Sequence, residues 1–104
     1  MKLETRFGKY GGCYAPESLI PNLQEVEKGF IEVQKSKSFL HELDSLLKNY
    51  AGRETPLTFA ESLSSQTGCD IFLKREDLLH GGAHKTNNTL GQLLLAKHLG
   101  KKRI

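Results

Sequence analysis

Lys85 is the residue of this chain whose type and position could do the most distinctive chemistry, because it follows two glycines and opens an apolar helix. Gly81 and Gly82 let the backbone come close to a bound group. A helix N-terminus has backbone N–H groups without partners and the positive end of the peptide dipoles, so it attracts a phosphate. The same positive end disfavours a protonated ammonium, and a neutral lysine amine attacks aldehydes. The pattern therefore predicts a site for pyridoxal phosphate, an aldehyde with a phosphate that a lysine holds as a Schiff base.

Two other interpretations compete for the same segment. The mixed charges of residues 74–77 are typical of an exposed turn, with Lys85 a solvated lysine, and on spacing alone this interpretation is favoured. A phosphate-binding P-loop superficially fits the order of glycines, lysine and threonine. It requires glycine at two positions that Leu79 and His84 occupy, so we reject it.

A metal site is the third alternative for this segment. Glu76, Asp77, His80 and His84 have side chains that bind zinc or iron. The glycine pair prevents the two histidines from sharing a helix face, and no ligand pair has a recognised spacing. We therefore expect no metal site. The other histidines fall within amphipathic helices and are expected at the surface: His41 and His98.

Hydrophobic spacing indicates two helices ahead of the lysine segment. Residues 1–15 have neither a helical nor a strand period and predict an ordered loop or arm. A helix from Pro16 has one apolar face that we expect to be core: Leu19, Leu23, Val26, Phe30 and Val33. A second helix, capped by Ser38 and ended by Gly52, has an apolar face of its own. That face consists of Phe39, Leu40, Leu43, Leu46, Leu47 and Tyr50.

The elements around Lys85 follow in order. Thr55 and Pro56 are placed as an N-cap and a first helical residue, which predicts a short helix through about Ser65 that Gly68 ends. A strand is expected at 71–74, followed by the lysine loop and a helix from about 85 to 99. Residues 101–104 are typical of the approach to another strand. We expect the chain to stop in the middle of a β-α-β unit, whose strands would be parallel.

Composition limits the function without identifying it. The 104 residues allow at most one domain with a modest core, and the net charge of +3 comes mostly from scattered lysines, so we expect no nucleic-acid partner. Cys13 and Cys69 form no C-x-x-C pair and no signal peptide precedes them, which indicates reduced thiols in a cytoplasmic protein. No apolar run is long enough to cross a bilayer, so no membrane partner is expected.

Residues 73–88 resemble the cofactor-lysine signature of the tryptophan synthase β-chain family nearly residue for residue: LKREDLLHGGAHKTNN. Two further blocks agree with that family in order and spacing. They are Phe7-Gly8 with residues 11–17 (GGCYAPE), and Gly52-Arg53 with Thr55-Pro56-Leu57. The resemblance covers essentially the whole chain.

The resemblance implies an α/β fold, that of pyridoxal-phosphate-dependent enzymes of fold type II, of which this chain matches the N-terminal portion. Residues 1–52 then correspond to an arm and two helices. Residues 53–104 correspond to the start of the cofactor-lysine domain, truncated within an incomplete β-α-β unit. The family's enzymes are several times longer.

The implied activity is that of a cytoplasmic lyase of tryptophan biosynthesis, which makes L-tryptophan from L-serine and indole by β-replacement. Lys85 matches the lysine that binds pyridoxal phosphate as a Schiff base, is displaced by L-serine and then moves protons. His84 matches a neighbour of the cofactor phosphate. Thr86, Asn87 and Asn88 also match the motif, but helix capping explains them equally well. The implied partner is a tryptophan synthase α subunit, in an assembly of two α and two β chains.

Several parts of the family's machinery have no counterpart in these 104 residues. They are the acidic catalytic residue, the loop for the substrate carboxylate, the later glycine-rich phosphate loop, the residue facing the pyridine nitrogen and the monovalent-cation site. We therefore expect the isolated chain to be inactive.

Two alternatives follow from the same comparison. One is a non-catalytic remnant or interaction module that binds the α subunit through the arm and the two helices. The other is a different pyridoxal-phosphate β-replacement or β-elimination enzyme of the same fold, such as a cysteine synthase or threonine dehydratase relative. The lysine segments of those families resemble this one less.

Overall fold

Helices and short strands alternate along the chain, and the structure, a computed structural model, describes residues 3–104. In this range the α-helices are α1 (Ile20–Val33), α2 (Lys37–Leu46), α3 (Glu61–Thr67) and α4 (Lys85–His98). The strands are β1 (Arg6–Phe7), β2 (Tyr10–Gly11), β3 (Leu57–Phe59) and β4 (Phe72–Lys74). They form two antiparallel sheets, β1 with β2 and β3 with β4. This mixed content agrees with the predicted α/β class.

The chain divides into two units. One contains the residues up to 41 together with residues 93–104, and the other contains residues 42–92. Helices α2 and α4 each contribute to both units. Lys85 and its loop belong to the second unit.

The first unit begins with a small hairpin inside the stretch that the sequence predicted to be an ordered loop or arm. Arg6 pairs with Gly11 and Phe7 with Tyr10, so this stretch contains two short strands that the sequence did not predict. Met1 and Lys2 lie outside the described residues. The hairpin was missed because each strand has only two residues, too few for an alternating pattern to be visible.

Helix α1 confirms the first predicted helix but not the burial of its apolar face. A 3-10 turn, Glu17–Leu19, precedes it, so the α-helix starts four residues after Pro16. Of the five apolar residues of the predicted face, only Val33 is buried, and the other four are 42–47% exposed. The expectation that this face is core was wrong.

Helix α1 packs closely on the segment that follows α4. A Cβ atom on Gly29 would lie 2.6 Å from Cδ2 of Leu99, so glycine is what allows this approach. Lys101 Nζ lies 2.8 Å from a carboxylate oxygen of Glu25. These contacts join the two ends of the first unit.

Helix α2 is capped by Ser36 and not by the predicted Ser38. The Phe39 N–H donates to Ser36 Oγ at 3.3 Å, while Leu40 N–H donates to the Ser36 carbonyl at 3.0 Å. A π-helical turn, Leu47–Ala51, continues the helix to Gly52, whose φ of +88° ends it as predicted. The predicted cap was therefore two residues too late in the sequence.

In the second unit, a strand takes the place of the start of the predicted third helix. Residues 57–59 form β3, and α3 begins only at Glu61, although Gly68 ends it as predicted. Strand β4 confirms the predicted strand and pairs with β3 in antiparallel register, Leu57 opposite Lys74 and Phe59 opposite Phe72. Residues 101–104 form no strand, so the parallel pairing expected between β4 and a strand after α4 stays a prediction.

Helix length also bears on the predicted absence of a membrane span. None of the helices within residues 3–104 is both long enough and apolar enough to cross a bilayer.

Candidate functional site

Lys85 is the first residue of α4, as its position after the glycines predicted. Its side chain is exposed, and the loop of residues 79–84 precedes it. The backbone N–H groups of Ala83, His84 and Lys85 have no backbone carbonyl partner among the described residues. These N–H groups and the Lys85 amine therefore lie next to each other on the chain, available to an anion and to an electrophile.

Both glycines of the loop adopt the left-handed conformation, with φ of +88° at Gly81 and +69° at Gly82. A Cβ on Gly81 would lie 3.0 Å from Thr86 Oγ1, so a larger residue would be both strained and crowded there. Thr86 Oγ1 donates to the His80 carbonyl at 2.5 Å, and the Gly82 N–H donates to the Leu79 carbonyl at 2.7 Å. The loop is thus closed by contacts between its own two sides.

The start of the loop is fixed to the end of the π-helical turn. The His80 N–H donates to the Ala51 carbonyl at 2.9 Å, and the rings of His80 and Tyr50 lie 4.6 Å apart. Leu79 is 2% exposed and Ala51 is fully buried. His80 therefore anchors the loop through its backbone N–H and its ring, and His84 directly precedes Lys85; both histidines are exposed.

Arg53 connects the two ends of the lysine segment. Its Nη1 and Nη2 atoms donate to the two carboxylate oxygens of Glu76 at 2.9 and 2.5 Å, and its Nε donates to Asn87 Oδ1 at 2.8 Å. Glu76 precedes the loop and Asn87 lies in the first turn of α4. We call Arg53, Glu76 and Asn87 the arginine bridge.

Two further groups support the carboxylate of the bridge. Thr55 Oγ1 donates to Glu76 Oε1 at 2.7 Å, and Lys74 Nζ donates to the Thr55 carbonyl at 2.5 Å. Hydrogen bonds from Arg53 and then from Thr55 hold the pKa of Glu76 at about 2, below its usual value. The same pairing with Glu76 raises the pKa of Arg53. Glu76 therefore remains ionised and paired in ordinary buffers.

The structure brings together only some of the residues considered for this segment. His84 directly precedes Lys85, the first residue of α4, and both are exposed; their binding of a cofactor stays a prediction. Asn87, whose role was left open, belongs to the bridge. Thr55 caps no helix, since it contacts Glu76. Arg53, Glu76 and Thr55 were missed as members of the site. The sequence offered only a weak indication of this pairing, namely that Arg53 is a cation and Glu76 a carboxylate.

No metal-binding cluster is formed by this segment. Among residues 3–104, no three His, Cys, Asp or Glu side chains are grouped to hold a metal ion. Glu76 and Asp77 are each paired with an arginine, Arg53 and Arg75 respectively. Cys13 and Cys69 are both free and exposed.

The donor set at Lys85 fits pyridoxal phosphate. The cofactor needs an amine for its aldehyde and N–H donors for its phosphate, and Lys85 and the loop supply these next to each other. The two left-handed glycines allow close approach of the backbone. A cavity of about 540 Å³ is lined by residues between 44 and 54, which include Arg53, and Lys85 does not line it. We therefore place the candidate site on the loop.

No protein-family model matches the chain. The residues of the site themselves, their types and their geometry, therefore carry the functional argument.

Proposed function

We propose that this chain carries the cofactor lysine of a tryptophan synthase β subunit, which makes L-tryptophan from L-serine and indole with pyridoxal phosphate. The observation that carries the proposal is the exposed amine of Lys85 at the first position of α4, directly after two left-handed glycines. The resemblance of residues 73–88 to that family's lysine signature supports it.

In this proposal the groups at the start of α4 have separate roles. The Lys85 amine binds the cofactor aldehyde and later moves protons at the reacting carbon. The N–H groups at the start of α4, with His84 beside them, bind the phosphate. The cofactor, when bound, supplies the electron sink for β-replacement. The wider proposal includes a cytoplasmic location and a tryptophan synthase α subunit as partner, two of each chain per assembly.

We assign no acidic catalytic residue and no group facing the pyridine nitrogen within these 104 residues. The isolated chain is accordingly proposed to bind the cofactor without turnover. Formation of tryptophan from L-serine and indole by the isolated chain would contradict this part of the proposal.

Reductive labelling tests the cofactor site. The chain is mixed with pyridoxal phosphate, reduced with borohydride and mapped by peptide mass. We expect one dominant adduct on Lys85, lost in K85A and retained in K97A, a control at the other end of the same helix. Equal labelling of many lysines, or an adduct that survives K85A, would contradict the proposal.

A binding role without catalysis is the second candidate, and the exposed apolar side chains of the first unit favour it. Phe7, Tyr10 and Tyr14 are 69–82% exposed, in addition to the apolar face of α1. Clustered apolar exposure is typical of surfaces that bind a partner, here a tryptophan synthase α subunit. The labelling experiment separates the two candidates, because a binding role requires no reactive lysine.

A further inference from the structure

We propose that Arg53 is a positioning residue for the lysine loop, which it holds in the conformation that receives a phosphate-bearing aldehyde. This inference rests on the proposed function and adds a residue distant in sequence from the lysine segment. It is carried by the geometry of the arginine bridge, in which one guanidinium contacts both ends of the segment that contains Lys85.

The bridge ties together the two ends of a segment whose middle is already closed by its own hydrogen bonds. Between Glu76 and Asn87 lie two left-handed glycines and several exposed residues, whose freedom would have to be lost on binding. Fixing the loop before the ligand arrives removes part of that cost, which is the general advantage of preorganised sites. Arg53 is itself fixed, since its N–H donates to the Leu47 carbonyl at 2.9 Å.

The bridge also pairs the negative charge of Glu76, which precedes the loop in the chain. Both oxygens of Glu76 accept hydrogen bonds from Arg53, and one of them also accepts from Thr55. A carboxylate so paired repels an incoming phosphate less than a free one would. Positioning and charge pairing therefore act in the same direction, and an experiment must separate them.

Arg53 has chemistry that lysine cannot replace. Three N–H groups of one planar guanidinium donate to three oxygen atoms on two side chains, whereas an ammonium is a single nitrogen on a flexible stem. R53K therefore keeps the charge and loses the bridge. R75A is the matched control, because Arg75 pairs with Asp77 two residues away, at 2.8 and 2.7 Å, and does not reach the other side of the loop.

The experiment compares labelling by pyridoxal phosphate with labelling by pyridoxal, which lacks the phosphate. For each lysine, the yield of the pyridoxal phosphate adduct is divided by the yield of the pyridoxal adduct. This ratio at Lys85, divided by the ratio at Lys97, reports how well the loop recognises phosphate. We expect R53K to lower this quantity about tenfold, the scale of one lost hydrogen bond to a charged group. N87A is expected to lower it less, and R75A to leave it within about twofold of the unmodified chain.

Each outcome decides a separate question. An unchanged ratio in both R53K and N87A, with the far-UV circular dichroism also unchanged, would overturn the positioning role and leave the proposed function intact. No phosphate preference at Lys85 in the unmodified chain would overturn the proposed function and this inference together. R53A/E76Q removes the carboxylate as well, and recovery of the ratio in that variant would mean that charge alone matters, which also overturns positioning.

Discussion

At the scale of single residues, the pairing of Glu76 with Arg53 makes stability depend on pH. The pKa of Glu76 in the folded state is about 2, below its ordinary value of 4.5, so the folded state favours the ionised carboxylate. The stabilisation is therefore fully present above about pH 4.5 and is lost as the pH falls through about 2. We expect the unmodified chain to be more stable than E76Q at neutral pH, and the difference to shrink over that interval.

Urea unfolding of both chains at a series of pH values measures this difference directly. D77N is the control, because Asp77 pairs with Arg75 in a more exposed position and its pKa is also lowered. Its effect on the free energy of unfolding should be smaller at every pH. An advantage of the unmodified chain over E76Q that stays constant down to pH 2 would contradict the pairing.

The candidate site was predictable from sequence where its residues are neighbours in the chain. Lys85, His84 and the two glycines fall within five positions, so the sequence alone places them together at the start of a helix, and their cofactor role stays a prediction. Arg53 and Glu76 are 23 residues apart, and Arg53 and Asn87 are 34 apart. A pairing of that kind is set by tertiary contacts, which a single sequence does not contain.

At the scale of elements, the start of α2 is decided by one side chain. Ser36 Oγ accepts the Phe39 N–H, which would otherwise lack a partner in the first turn. We expect S36A to lower the free energy of unfolding by about 1 kcal/mol. Thermal unfolding measures the change, and S65A is the control, because Ser65 is an exposed serine inside α3 and not at its start. Equal losses in the two variants would show that Ser36 is not the cap.

Helices and strands differed in how well the sequence predicted them. All four helices were expected, because each has either an apolar face at helical spacing or a terminal glycine. Strand β3 was missed because Thr55 and Pro56 fit a helix start as well as an extended segment. Pairing decided the outcome, since the Arg75 N–H donates to the Pro56 carbonyl at 2.9 Å and the Ala60 N–H to the Ile71 carbonyl at 2.9 Å. Local propensity gives way to such contacts.

At the scale of the whole molecule, burial is sparse and apolar exposure is extensive. The buried apolar residues among 3–104 are Val33, Ala51, Leu79 and Leu94. The sequence predicted which helix face is apolar but not whether anything covers it, because coverage depends on the rest of the fold. The few buried side chains should therefore account for a large share of stability, and the exposed apolar residues for little.

Two valines of α1 allow the contribution of burial to stability to be tested with the same substitution, valine to alanine. Val33 is 3% exposed and Val26 is 44% exposed. Truncating the buried valine removes two methyl groups from contact and leaves a cavity, so we expect V33A to cost about 2 kcal/mol in the free energy of unfolding. V26A should cost less than about 1 kcal/mol, because water already reaches its side chain. Chemical denaturation of the two variants decides the point. Equal costs would mean that the face of α1 is covered in solution, and a partner or a second copy of the chain would then be the first candidate for what covers it.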